Sequence, residues 1–247
     1  MIDIKSEDEI ALIKKAGSIV RVVLQEIEKI ALPEVTTREL DKKAEIIIKD
    51  FDAKSAFKGY KGFPGNICVS INEQVVHGIP GKTRLKTGDI LSIDVGVAKC
   101  GFYADAACTI EIGTSVTKEA RRLIKVTEKA LSVGIEKAVE GNRLFDISHA
   151  IQEYVEGRGY SIVRDFVGHG IGKKMHEEPE IPNFGKAGTG PRLKKGMVLA
   201  IEPMVNEGRY EIEILSDGWT SVTRDRKLSA HFEHTVCVMD GEPVILT

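Results

Sequence analysis

Four carboxylates stand where the surrounding sequence asks for apolar side chains: Asp94 in ILSIDVGVA, Asp105 in GFYADAACTIEI, Glu202 in LAIEPMV and Glu233 in SAHFEHTV. In the first stretch Leu91, Ile93, Val95 and Val97 alternate onto one face, which leaves Asp94 on the other with Ser92 and Gly96. A turn at Lys99-Cys100-Gly101 makes the first two stretches a hairpin and brings Asp94 and Asp105 close to opposite one another. Like charges across a hairpin repel unless a cation lies between them. One acid in such a run is ordinarily a solvated face or an ion pair, but four, two from each half of the chain, point to one shared site. No lysine or arginine accompanies them in these strands, so the expected counter-charge is metal. Two divalent cations balance four carboxylates; one leaves an excess of negative charge. Oxygen donors joined by one imidazole suit Mn, Fe, Co or Zn, and the absence of thiolate donors argues against a structural zinc.

The imidazole comes from VGHGIGKKMHEEP, where His169 lies between Gly168 and Gly170 and His176 follows in the same glycine-rich, charged stretch, which reads as a loop. His169, flanked by residues that let backbone and substrate approach, is the natural nitrogen ligand. Other motif readings fail here. Gly168-x-Gly170-x-Gly172 is followed by Lys173 where a dinucleotide fingerprint needs glycine, and HEEPE lacks the second histidine of a zinc-protease helix. GTGPRLKKG has no phosphate-loop ending, and no G-x-S-x-G elbow offers a serine nucleophile. His149 reads as a surface helix residue and His234 as packed or capped on the face away from Glu233. His231 shares the face of Glu233 and could support it.

The elements that must position these groups repeat. Ser6 to Glu9 and Thr36 to Glu39 are capping boxes, and each opens an amphipathic helix, the second with Leu40, Ala44, Ile47, Ile48 and Phe51 on its buried side. NICVSI and the hairpin follow as strands. Helices then return over Thr117 to Val139 and Arg143 to Glu156, and strands over SIVRDFV, MVLAIEPMV, YEIEIL and FEHTVCVM. Helix, helix, strands occurs twice, which predicts an α+β domain with two pseudo-symmetric halves, roughly 1–113 and 114–247, whose strands merge into one sheet backed by helices. With no linker between the halves, residues 1–247 are expected to form a single catalytic domain.

Composition sets outer limits. A net charge of −2 gives no global attraction to DNA or to an anionic membrane, and the start MIDIKSEDEIALIKK lacks a signal-peptide pattern, so a cytoplasmic protein is expected. Cys68, Cys100, Cys108 and Cys237 form no C-x-x-C pair and read as reduced thiols.

Taken with SINEQVVHGIP around His77, SIDVG, GFYADAA, AIEPM, DGWT and LSAHFEHT, the five ligands in this order closely resemble the type I methionine aminopeptidases over nearly the full length. The resemblance implies the pita-bread fold, a pseudo-two-fold symmetric antiparallel sheet backed by helices, and hydrolytic removal of the initiator methionine from nascent polypeptides when the second residue is small. It implies that Asp94 holds one metal, that His169 and Glu202 hold mainly the other, and that Asp105 and Glu233 bridge both. A water or hydroxide between the metals is then the nucleophile, with a pKa lowered to about 7, and Glu202 shuttles its proton. His77 and His176 face the substrate, and Tyr60, Phe63, Cys68, Met175 and Trp219 line the methionine pocket, with Phe57 a further member. Asn72, Gln74 and Ser229 fall where some relatives bind a monovalent cation.

Four positions depart from the pattern. Met175 stands where many relatives have phenylalanine, and Gly96 and Ala106-Ala107 stand where relatives often carry hydroxyls, so support for Asp94 and Asp105 is expected to be thinner or to come from water. The sequence as given has no cysteine-rich stretch ahead of the first helix and no large insertion between His176 and Glu202, so the short bacterial form is expected. Ile2 is bulky, so Met1 is expected to be retained. A monomer is expected, with transient ribosome contact through Lys173, Lys174 and PRLKKG as one use of those lysines and a solvated basic loop as the other. Two rival readings are a proline-specific peptidase of the same architecture, which usually carries a large N-terminal domain, and a binding protein that has lost catalysis on the same scaffold.

Overall fold

Ser6 and Thr36 begin helices because each hydroxyl accepts the N–H of a glutamate three residues on, and that glutamate's carboxylate accepts the cap's own N–H. In the computed structural model, which describes residues 2–247, they open α1 (Glu7–Ile30) and α2 (Thr37–Asp50). The expected retention of Met1 lies outside the described residues. Strands β1 (Lys54–Ser55), β2 (Cys68–Ile71), β3 (Gln74–Val76), β4 (Ile90–Lys99) and β5 (Phe102–Glu111) precede α3 (Lys118–Ile135) and α4 (Leu144–Glu156). Then come β6 (Ser161–Ile162), β7 (Gly168–Gly170), β8 (Glu177–Ile181), β9 (Val198–Ile201) and β10 (Met204–Asn206). The last are β11 (Ile212–Ile214), β12 (Ser221–Thr223), β13 (Ser229–His231), β14 (Glu233–Cys237) and β15 (Val244–Ile245).

Among the described residues the strands form a nine-stranded sheet and two three-stranded ones rather than the single sheet expected. The large sheet runs β1-β4-β5-β14-β9-β7-β8, with β2 on β4 and β15 on β14, and its pairs are antiparallel. The halves meet where β5 pairs with β14. The helices of each half cover their own part. Ile13, Val20 and Ile27 of α1 and Leu40 and Ile48 of α2 share one core cluster with Leu91, Ile93, Val95 and Val97, while Leu123 of α3 and Ile147 and Ile151 of α4 share a second with Leu199 and Val236. No described helix is long and apolar enough to cross a membrane.

Several elements differ from the sequence expectation. Phe51 is the C-cap of α2 and is exposed, because the helix ends before its face can turn inward. Helix α3 stops at Ile135, and SIVRDFV pairs only over Ser161–Ile162. GHG, read as loop, is strand β7, so His169 stands on a sheet. The glycines there serve the chain's own backbone: a β carbon at Gly168 would lie 2.4 Å from the Ala200 carbonyl oxygen, and one at Gly170 would lie 2.2 Å from that of Glu178. Glu202 falls between β9 and β10, where Pro203 has no N–H to continue the ladder.

Candidate metal centre

Register places the acids. Cys100 and Gly101 both take left-handed φ, 53° and 81°, giving a two-residue hairpin turn. That turn sets Asp94 opposite Ala107 and Asp105 opposite Gly96. The aspartates therefore share a face diagonally, two residues out of step, instead of standing opposite one another. Cys68 pairs with Asp94, and Ala107 pairs with Glu233, so Cys68, Asp94, Ala107 and Glu233 form one row across four strands. A second row runs from His169 through Ala200 to Thr235, beside Asp105. The small Ala107 and Ala200 leave space over the sheet between the acids.

His169 Nδ1 lies 2.9 Å from the Gly170 carbonyl oxygen, so this nitrogen carries the proton and Nε2 presents a lone pair. Nε2 lies 3.5 Å from Asp105 Oδ2 and 3.6 Å from Glu202 Oε1. One donor atom each from Asp105, His169 and Glu233 falls within 4.8 Å of the others. Asp94 Oδ1 is buried with no hydrogen-bond partner, and among the described residues no lysine or arginine pairs with any of the four carboxylates.

Burial dominates the electrostatics. It lifts Asp94 well above the ordinary carboxylate range, with the Asp105 charge adding to it. It lifts Asp105 to about 7 against a lowering bond from Thr235. Glu202 and Glu233 are raised by burial first and then by the neighbouring acids. Burial also pushes His169 down to about 4, which keeps the ring neutral and its lone pair free. Neutral imidazole and four crowded oxygens fit divalent cations: an orphaned Asp94 oxygen and mutually repelling carboxyls are what a cation would satisfy.

The cluster floors a pocket lined by Tyr60, Phe63, Cys68, Met175 and Trp219, by Phe57 and by His77 and His176. Trp219 is held by an Asp217 turn, in which Oδ1 accepts its N–H at 2.8 Å, and Phe63 meets it edge-on at 5.1 Å. His77, with a left-handed φ of 60°, meets Phe166 and Trp219 edge-on. His176 stacks on Tyr60, whose hydroxyl lies 2.9 Å from Nδ1, and its ring centre is 4.2 Å from that of His169. Gly96 has no room for a hydroxyl-bearing side chain, since a β carbon there would lie 2.5 Å from Phe57 Cε1.

Residues outside the sequence reading also build the site. Thr235 Oγ1 lies 3.0 Å from Asp105 Oδ1 and accepts the Asp105 N–H at 3.1 Å, so Asp105 is supported by protein while Asp94 is not. Only its place two positions beyond Glu233 on the same face could have signalled it. Phe166, against His77, and Lys61, which lines the pocket, carried no signal. His231 Nε2 is buried 3.9 Å from Glu202 Oε2, and His234 turns away to Thr247 Oγ1 at 2.9 Å. His149 is half exposed on α4. Asn72, Gln74 and Ser229 use their polar atoms locally: the Asn72 carbonyl accepts the Ser229 N–H at 2.9 Å, and Gln74 Oε1 accepts the Ile71 N–H at 2.8 Å.

Comparison with known proteins places this geometry. The sequence profile of metallopeptidase family M24 matches residues 11–240. The methionine aminopeptidase of Clostridium acetobutylicum is 56% identical over 248 residues, covering 100% of this chain and 99% of its own. That of Clostridium perfringens is 54% identical over 247 residues, with the same coverage. The crystal structure of methionine aminopeptidase from Thermotoga maritima superposes with a TM-score of 0.98 at 46% identity, covering 100% of this chain and 99% of that one.

Proposed function

The chain belongs to metallopeptidase family M24, and on that premise we propose that it is a methionine aminopeptidase, removing the initiator methionine from nascent polypeptides whose second residue is small. One observation carries the reading: an apolar pocket whose floor is the carboxylate and imidazole cluster. Its volume of about 170 Å³ lies below the roughly 300–1,000 Å³ of clefts that take whole small molecules. It suits one extended apolar side chain, and Tyr60, Phe63, Cys68, Met175 and Trp219 offer the soft, aromatic walls a thioether favours.

Asp94, Asp105, His169, Glu202 and Glu233 would hold two divalent cations, and Mn, Fe, Co and Zn all fit the donor set. Such cations supply Lewis-acid polarisation of the scissile carbonyl and a nucleophile at neutral pH. Glu202 takes the proton of the attacking water and returns it to the leaving amine. The Tyr60 hydroxyl lies 2.9 Å from His176 Nδ1, and by donating to it would keep the ring proton on Nε2. That Nε2–H donates to the carbonyl oxygen as it turns tetrahedral. His77, its pKa pushed down to about 4 by burial, stays neutral at the edge of the pocket beside the second residue. A monovalent cation at Asn72, Gln74 and Ser229 would use carbonyl lone pairs left free by the hydrogen bonds those residues already make. A single domain acting as a monomer is part of this reading.

Protein loaded with each of the four metals in turn should release methionine from Met-Ala-Ser and leave X-Pro peptides intact. Cleavage of X-Pro alone would move the chain to the proline-specific branch. Folded, metal-loaded protein that released no methionine would be a binding protein.

A further inference from the structure

Lys5 lies in the extended segment ahead of α1, far from the pocket in sequence, yet its charged side chain is 1% exposed. An ammonium so enclosed must be paired. Its Nζ donates to Glu177 Oε2 at 2.5 Å and to Asp3 Oδ2 at 2.6 Å. Glu177 directly follows His176, and its other oxygen, Oε1, accepts the N–H of Lys174 at 2.9 Å. The carboxylate thereby closes the short turn that carries Met175 and His176. Lys5 reaches it only past Gly172, where a β carbon would stand 2.3 Å from Lys5 Cε and 2.8 Å from Nζ. The other end of the strut is fixed too, because the Lys5 N–H donates to the Gly196 carbonyl at 2.8 Å. A second pair, Lys173 with Glu9 at 2.7 Å, ties the same turn to the start of α1, but it is exposed and contributes little.

We propose that Lys5 is a positioning residue for His176: through the buried Lys5–Glu177 pair it fixes the turn that aims the imidazole at the scissile carbonyl. The proposal rests on the methionine aminopeptidase reading, since it is that bond whose aim matters. A catalytic group displaced by about 1 Å can cost on the order of a hundredfold in rate, so a turn held by one enclosed ion pair is a point of leverage.

Steady-state kinetics on Met-Ala-Ser with metal-loaded Lys5→Met, His176→Ala and the double variant test it. Lys5→Met should lower kcat about tenfold or more, with KM and bound metal near wild-type values. In the His176→Ala background the same substitution should have no further effect, because the group it aims is gone. Additive losses in the double variant, a wild-type kcat in Lys5→Met, or losses of kcat, KM and metal in step would each overturn the proposal. Should Lys5→Met not fold, Glu177→Gln, which keeps the side-chain shape and removes the negative charge from the same pair, carries the cycle with the same expectations. A wild-type protein that releases no methionine would instead sink the underlying reading.

Discussion

Replacing Asp105 by asparagine should change the sign of its effect on stability according to whether divalent cations are present. Without them, burial raises the Asp105 pKa from 3.8 to about 7. Between these values the folded chain keeps a proton that the unfolded chain has released, so stability falls as pH rises through that window and stays low above it. The interval is about three pH units, and at about 1.36 kcal/mol for each the loss is on the order of 4 kcal/mol. Asparagine is neutral throughout, and its Oδ1 can keep the bond from Thr235 seen at 3.0 Å. In chelator, Asp105→Asn should match the wild type near pH 4 and exceed it by up to that amount at pH 8. The buried histidines push the other way: His169 at about 4 and His231 at about 3 add stability as pH rises toward 6.5. Both proteins carry them, so they cancel in the difference.

With saturating Mn or Co the order should reverse. The wild type gains the free energy of cation binding, about 4 kcal/mol at a thousandfold excess over Kd, while a neutral ligand in place of a carboxylate binds more weakly. Urea unfolding of both proteins from pH 4 to pH 8, in chelator and in metal, reads the whole pattern. A difference in chelator that does not vary with pH, or a variant less stable than the wild type at pH 8 without metal, would refute the idea that Asp105 is a buried carboxyl with no counter-charge in the protein.

Thr235→Val removes the hydroxyl that accepts the Asp105 N–H and bonds its carbonyl oxygen at 2.8 Å; it should cost about 1–3 kcal/mol of stability and weaken metal binding roughly 10- to 100-fold, read by competition with a chelating dye. An unchanged metal affinity would strip Thr235 of its role in orienting Asp105. Gly96→Ala sets a β carbon 2.5 Å from Phe57 Cε1 and 3.0 Å from Ala56 Cβ. The ring must move within the pocket it lines, so about 1–3 kcal/mol of stability is lost to overpacking and KM for Met-Ala-Ser rises while kcat holds. A normal KM would show that Phe57 does not shape the pocket.

What the sequence disclosed follows from what is local. Period-two alternation in ILSIDVGVA suffices to bury Leu91, Ile93, Val95 and Val97 and to turn Asp94 to the other face, because a strand's faces alternate whatever its neighbours are. An acid without a cation nearby in sequence is a local anomaly, and four of them sufficed to gather one pocket. Register is a different quantity. Whether Asp94 meets Asp105 or Ala107 depends on the two-residue turn at Cys100-Gly101, and one residue more would have reversed the faces. Strand β7 was hidden because glycine has low strand propensity, yet it exists because neighbouring carbonyls leave no space for a β carbon.

The groups that support the site were least legible of all. Thr235 bonds Asp105 across 130 residues, and Lys5 bonds Glu177 across 172. A threonine in a strand and a lysine ahead of a helix are locally unexceptional: the two-residue spacing from Glu233 puts Thr235 on the right face without giving its partner, and only pairing across the finished fold gives each its role. Groups with no counter-charge beside them draw notice in a sequence because they are uncompensated there. The residues that compensate or aim them go unnoticed because, locally, nothing about them is out of place. Asp105 and His176 were therefore visible early, while Thr235 and Lys5, which hold them still, required coordinates.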